Sequence, residues 1–162
     1  MNPLLRSLED NFLEIHRRSI VLIDRTPDDL LYRQPRDPAR EFAVFTIGEN
    51  LLRSAAAVEQ VAGGITTRLW DDPFEWTLPE KLSSGALVRG YLDEVEDARL
   101  RAFKAIAADN ELSRQIPSPQ RVHTLLSILV DAAIRASHFQ GRAYTIYQAV
   151  SGEKPPAMRS ID

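Results

Sequence analysis

The side chains best suited to chemistry fall on two segments of this sequence. Asp131, Arg135, His138 and Arg142 recur at steps of three and four, so on a helix turning about 100° per residue they form one polar strip. An earlier segment carries Glu49 and Arg53, also four apart. Glu49 to Arg53 and Asp131 to Arg135 are acid-to-arginine pairs at the spacing and orientation that let ion pairs form along a helix surface. Guanidinium forks have a second use, because they match carboxylate or phosphate oxygens two at a time where lysine offers only a point charge. The competing chemistry is a divalent metal held by His138 together with Glu49 or Asp131, which supply imidazole nitrogen and carboxylate oxygen. Ser137 beside His138 is no catalytic dyad, since adjacent side chains on a helix point about 100° away from each other.

Composition removes several other classes. The chain has no cysteine, which excludes disulfides, thiolate nucleophiles and cysteine-ligated zinc. Its net charge is −3, without the basic excess that a nucleic-acid or anionic-membrane surface requires. Arg17-Arg18 is only a local pair. No apolar run approaches the roughly 20 residues of a membrane span, and the opening "MNPLLRSLEDNFLEIHRR" reaches acidic residues without an apolar signal core. The expectation is a cytoplasmic protein that engages neither nucleic acid nor membrane. With 162 residues, 44% hydrophobic and 27% charged, one domain covering residues 1–162 can bury a substantial core.

The polar residues must be positioned by helices, because apolar residues repeat with helical and not strand periodicity. A first helix is predicted over about Pro3 to Asp24, with Leu5, Leu8, Phe12, Ile15 and Leu22 inward. In "RTPDDLLYRQP", Thr26 can cap, Pro27 suits a first helical position and two aspartates suit a first turn, so a short helix follows and Pro35 and Pro38 end it. A second long helix is predicted over about 45–62, with Ile47, Leu51, Ala55, Val58 and Ala62 inward, Glu49, Arg53 and Gln60 on the other face, and Gly63-Gly64 as its stop. The next twenty residues contain Trp70, Phe74 and Trp76 without a period. They read as a long crossover pinned to the body of the protein by its aromatics, leaving the flanking helices parallel. A third helix is predicted over about 84–108, with Val88, Leu92, Val95, Ala102 and Ile106 inward and "DEVEDARLR" as a solvated face. The fourth, about 120–150, has an apolar seam of Leu125, Leu129, Ala132, Ala136, Phe139, Ala143, Ile146 and Val150. The expected fold is all-α, a four-helix bundle.

The order of a long helix, "TPDDLLYR", "TIGENLLRSAAAVEQ", a Trp-containing crossover, a helix, and "LLSILVDAAIRASHFQGRAYTIY" before "SGEKPP" resembles the DinB/YfiT-like superfamily of metalloenzymes over nearly the whole chain. The resemblance implies an up-down-down-up bundle and a divalent metal, often nickel or zinc, on three histidines. It places those ligand positions at Arg53, which follows "TIGENLL", and at Arg135 and Phe139, which stand where H-x-x-x-H precedes the "[RQ]-G" step matched by Gln140-Gly141. None of the three can serve: guanidinium stays protonated with no lone pair to give, and phenyl has no donor atom. His138 falls beside the ligand position.

The expectation is therefore a DinB-like bundle without the usual metal site. Arg53, Arg135, His138, Arg142 and Glu49 then form a small-molecule or anion-binding cleft, or ion pairs fasten the helices where a metal once did. The alternative is a metal-dependent transferase or hydrolase with nickel or zinc on a rearranged site of His138, Glu49 and Asp131. No cofactor is expected under the first reading. The resemblance also implies a homodimer, and Gly141, at the family step, is expected to sit against a close neighbour.

Overall fold

A computed structural model describes residues 3–35, 43–73, 77–118 and 122–158. The protein is mostly helical. Helix α1 spans Pro3–Arg25, the short α2 Asp28–Leu31, α3 Ile47–Thr66, α4 Gly85–Lys104 and α5 Leu125–Ser151, with a 3-10 turn at Asp109–Ser113 and two three-residue strands, β1 Gln115–Pro117 and β2 Val122–Thr124. The strands pair antiparallel with Ile116 opposite His123. Helix α3 packs against both α4 and α5, and α1 packs against the same two. Among the described residues no helix is long and apolar enough to cross a membrane.

The apolar stripes read from the sequence supply the core. Leu5, Leu8, Phe12, Ile15 and Leu22 of α1 are buried, as are Ile47, Leu51, Ala55, Val58 and Ala62 of α3. On α5 the seam is buried at Leu125, Leu129, Ala132, Ala136, Ala143 and Ile146, while Phe139 and Val150 are only half-buried.

Several helix ends are set by long-range contacts that spacing cannot reveal. Asp109 caps α1 from across the fold, its Oδ1 and Oδ2 accepting from the backbone N–H of Leu5 and Leu4 at 2.9 and 3.3 Å. Asp28 does the same for α4, accepting from Gly85 N–H at 2.7 Å. Carboxylates there satisfy orphan donors and meet the positive end of the helix dipole. Thr26 does not cap α2; its hydroxyl donates to Leu22 O within the last turn of α1.

Helix α3 does not stop at Gly63-Gly64. It continues to Thr66, and Arg68 then turns the chain in the left-handed region at φ 61°. Trp70 folds back onto Gly64, where a Cβ would lie 2.6 Å from the indole ring, and the indole N–H donates to Pro117 O at 3.2 Å. The glycines thus serve close approach of the crossover, and Trp70 pins it as expected; Phe74 and Trp76, like Pro38, lie outside the described residues. Helix α4 ends at Lys104 and not near 108. Helix α5 begins at Leu125 and not near 120, because residues 122–124 belong to β2; Pro119 and Gln120 are outside the described residues.

Arg99 corrects the reading of "DEVEDARLR" as wholly solvated. Its side chain is 4% exposed and forms a fork on Glu96, with Nε and Nη2 at 2.8 and 2.7 Å from the two carboxylate oxygens, while Glu9 of α1 lies 3.4 Å from Nη1. Burial alone would lower its pKa; the hydrogen bond and charge of Glu96, with Glu9 behind, outweigh that and raise it.

Candidate functional site

The site is built on the facing sides of α3 and α5. Thr46 starts α3 with a capping box: its hydroxyl accepts from Glu49 N–H while Glu49 Oε2 accepts from Thr46 N–H at 2.8 Å. A second 2.8 Å bond from the Thr46 hydroxyl engages the same oxygen. Glu49 is therefore a cap residue at the mouth of α3. The ring of Tyr32 covers this turn so closely that a Cβ on Gly48 would lie 2.4 Å from it. Burial, then the charges of Glu49 and Glu80, push the Tyr32 hydroxyl up to about 12.

One turn further along, the Arg53 guanidinium lies 3.9 Å from the centroid of the Phe45 ring, and Arg142 of α5 reaches 5.6 Å from the same ring. Phe45, which the spacing placed only at a helix start, is thus an aromatic divider between two arginines. A cleft of about 290 Å³ opens between α3, α5 and the crossover. Its polar lining is Arg53, Gln60, Asp72, Thr77 and Arg135, and its apolar lining is Ala56, Ala57, Pro73 and Phe139. A separate groove of about 370 Å³ is lined by Val44, His138, Gly141, Arg142, Thr145 and Ile146.

The five candidate residues therefore divide. Arg53 and Arg135 share the cleft, with Phe139 between helices at the third of the ligand-like positions; His138 and Arg142 line the neighbouring groove; Glu49 is spent on the cap. Arg135 Nε lies 3.0 Å from Asp131 Oδ2, yet this N–H meets no acceptor in hydrogen-bond geometry. The close pair is thus an electrostatic contact, and the bond itself is unmade. Among the described residues no three His, Asp or Glu side chains gather where they could hold a metal ion. His138, Glu49 and Asp131 are thus not brought together, and the cleft positions, two guanidiniums and a phenyl, do not fit a metal.

Behind the cleft, buried polar contacts set the two helices in register. Ser54 donates to Ala136 O at 2.9 Å, tying α3 to α5. Gln140 is fully enclosed and donates from Nε2 to Ile15 O at 2.6 Å and to Ser19 Oγ at 2.7 Å, tying α5 to α1. Gly141 beside it faces open space, since a Cβ there would meet nothing within 4 Å; the expected close neighbour is absent within the chain.

A mostly helical protein with an arginine-lined cleft between two of its long helices is the class that fold and site define. No family model, no curated protein and no solved structure matches the chain.

Proposed function

We propose that this protein is a small-molecule binding module for organic anions, built on a DinB-like up-down-down-up four-helix bundle that has lost the usual metal site. The observation that carries the reading is the convergence of Arg53 from α3 and Arg135 from α5 on one cleft of about 290 Å³, near the lower end of small-molecule sites. Arg53, Arg135 and the carboxylate of Asp72 line the cleft, with Asp131 beside Arg135 outside the lining, and what suits an anion is the fork geometry of the two guanidiniums. Ala56, Ala57, Pro73 and Phe139 offer an apolar wall to the rest of the ligand. A small carboxylate with a hydrocarbon body matches both halves, because arginine forks suit carboxylate geometry while the apolar wall gains from desolvation.

Thermal unfolding tests this directly. Phosphate or succinate at 100 times Kd stabilises the native state by about 2.7 kcal/mol, which for a domain of this size raises Tm by roughly 5–10 °C. The wild type shows this rise, Arg135→Ala loses it, and sodium chloride at equal ionic strength does not reproduce it. Equal shifts in wild type and Arg135→Ala overturn the reading, as does one equivalent of tightly held nickel or zinc in protein purified without a histidine tag.

A further inference from the structure

We infer that the ligand of the arginine cleft is a zwitterion, an α-amino acid with an aliphatic side chain that sets its carboxylate on Arg53 and Arg135 and its ammonium on Asp72. The inference rests on the reading of this cleft as a site for organic anions and names which of them it takes. Three elements bring charge to one opening: Arg53 from α3, Arg135 from α5 and Asp72 from the crossover. With Asp131 Oδ2 lying 3.0 Å from Arg135 Nε, these four side chains carry no excess of positive charge. A site for a bare anion gains nothing from a carboxylate in its wall, because a like charge there opposes the ligand. An ammonium on the carbon next to the ligand's carboxylate turns that opposition into attraction, and the same wall then discriminates between ligands.

Asp72 is held at the cleft by the chain on either side of it. Pro73, which follows it, is fully buried and restricts the residue before it to an extended backbone. The carbonyl of Pro73 accepts from both the backbone N–H and the hydroxyl of Thr77, at 3.1 and 2.9 Å. Two residues before Asp72, Trp70 O accepts from Gln60 Nε2 of α3 at 3.3 Å, and the indole of Trp70 lies on Gly64 of the same helix. The carboxylate therefore stands between two anchored points of the crossover. Arg53 is set as well: its guanidinium stacks 3.9 Å from the Phe45 ring centroid, which fixes the plane in which its N–H groups point.

The rest of the lining says what the ligand carries besides its charges. Ala56 and Ala57 stand between Arg53 and Gln60 on one face of α3, about 10 Å from end to end at 1.5 Å per residue. Their methyl groups, with Pro73 and Phe139, make an apolar wall that leaves room for an aliphatic side chain and gains from desolvating it.

Calorimetry with three related compounds tests the assignment: L-leucine, 4-methylpentanoate, which lacks the ammonium, and 3-methylbutylamine, which lacks the carboxylate. The wild type binds leucine about fivefold more tightly than 4-methylpentanoate, the ratio of one partly exposed charge pair, and binds 3-methylbutylamine more weakly than either. Asp72→Asn keeps the shape of the side chain without its charge and abolishes the preference for leucine. Arg135→Ala weakens both carboxylates, and Asp131→Asn leaves the preference in place. Equal binding of leucine and 4-methylpentanoate to the wild type overturns the zwitterion while the anion site stands; binding of neither removes both. That comparison needs no variant, so it holds whatever Asp72→Asn does to folding. A preference for leucine that survives in a folded Asp72→Asn also overturns the assignment, because another group then meets the ammonium.

Discussion

Arg99 and Arg135 are the same side chain in nearly the same sequence setting, an acidic residue three or four positions earlier on a long helix, and the structure treats them in opposite ways. Arg99 is 4% exposed, forks onto Glu96, receives Glu9 from α1 and lies 5.3 Å from the Phe103 ring centroid. Arg135 is 42% exposed, touches Asp131 without completing a hydrogen bond from Nε, and borders a cleft. A guanidinium closed on all sides by its own chain fastens helices; one that lines a cavity with its side chain 42% exposed can meet a ligand. The difference also follows helix position, since Arg99 sits between α1 and α4 and Arg135 at the opening between α3 and α5.

The largest effect that can break this comparison comes from Arg99→Ala. Truncation leaves Glu96 and Glu9 facing one another in a site with little water and removes the packed arginine stem. Stranding a buried charge in this way costs about 3–5 kcal/mol, read as a lower urea midpoint at unchanged slope. The thermal response to phosphate or succinate stays as in the wild type. A loss under 1 kcal/mol, or a lost anion response, removes the division between a fastening arginine and a binding one.

Gln140→Ala gives a smaller loss and probes how the cleft is held. Two donor bonds to Ile15 O and Ser19 Oγ disappear, a buried carbonyl is left unmatched and a small void opens. Together these cost about 2–3 kcal/mol. Because Gln140 ties α5, the helix that carries Arg135, to α1, the variant also weakens anion binding at temperatures well below its Tm. Undiminished binding in a destabilised variant shows that Ser54 to Ala136 suffices to place α5.

The inward stripes of α1 and α3 were legible because every one of their residues obeys a single period, so five named positions on each proved buried. The same period also contained Arg99: Val88, Leu92, Val95, Arg99 and Ala102 step by four, three, four and three. Residue type overruled position there, and what makes the position tolerable, Glu9 of α1, lies ninety residues away in sequence. Strands of three residues are too short to show alternation, so β2 was read as the start of α5, although Thr124 accepts from Ser127 N–H as an ordinary cap. Gly63-Gly64 looked like a stop because the sequence could not show Trp70 returning to lie on it. For the site, the two arginines were legible as chemistry, and their sharing of one cleft was to be expected only through the family resemblance, since it depends on the register of α3 against α5. Phe45, whose ring lies against Arg53 with Arg142 nearby, carried no signal of that contact. Glu49 was readable as a cap from Thr46, three positions before it, a pattern that competes with any pairing to Arg53.

Asp131→Asn makes the finest distinction and the smallest change in stability. The Asp131 side chain is 66% exposed, so solvent screens the pair and its loss alters unfolding by no more than about 0.5 kcal/mol. The equivalent change at a closed pair, Glu96, would be far costlier, because Arg99 has no water to turn to. Yet Asp131 is also a fixed anion beside Arg135 and competes with any ligand anion for it. Removing its charge, at a surface-pair energy of about 0.5 kcal/mol, tightens binding of succinate roughly twofold, measured by calorimetry at low salt where screening is weakest. A variant that binds more weakly than the wild type places Asp131 among the groups that orient Arg135, which makes the arginine a fastening residue like Arg99.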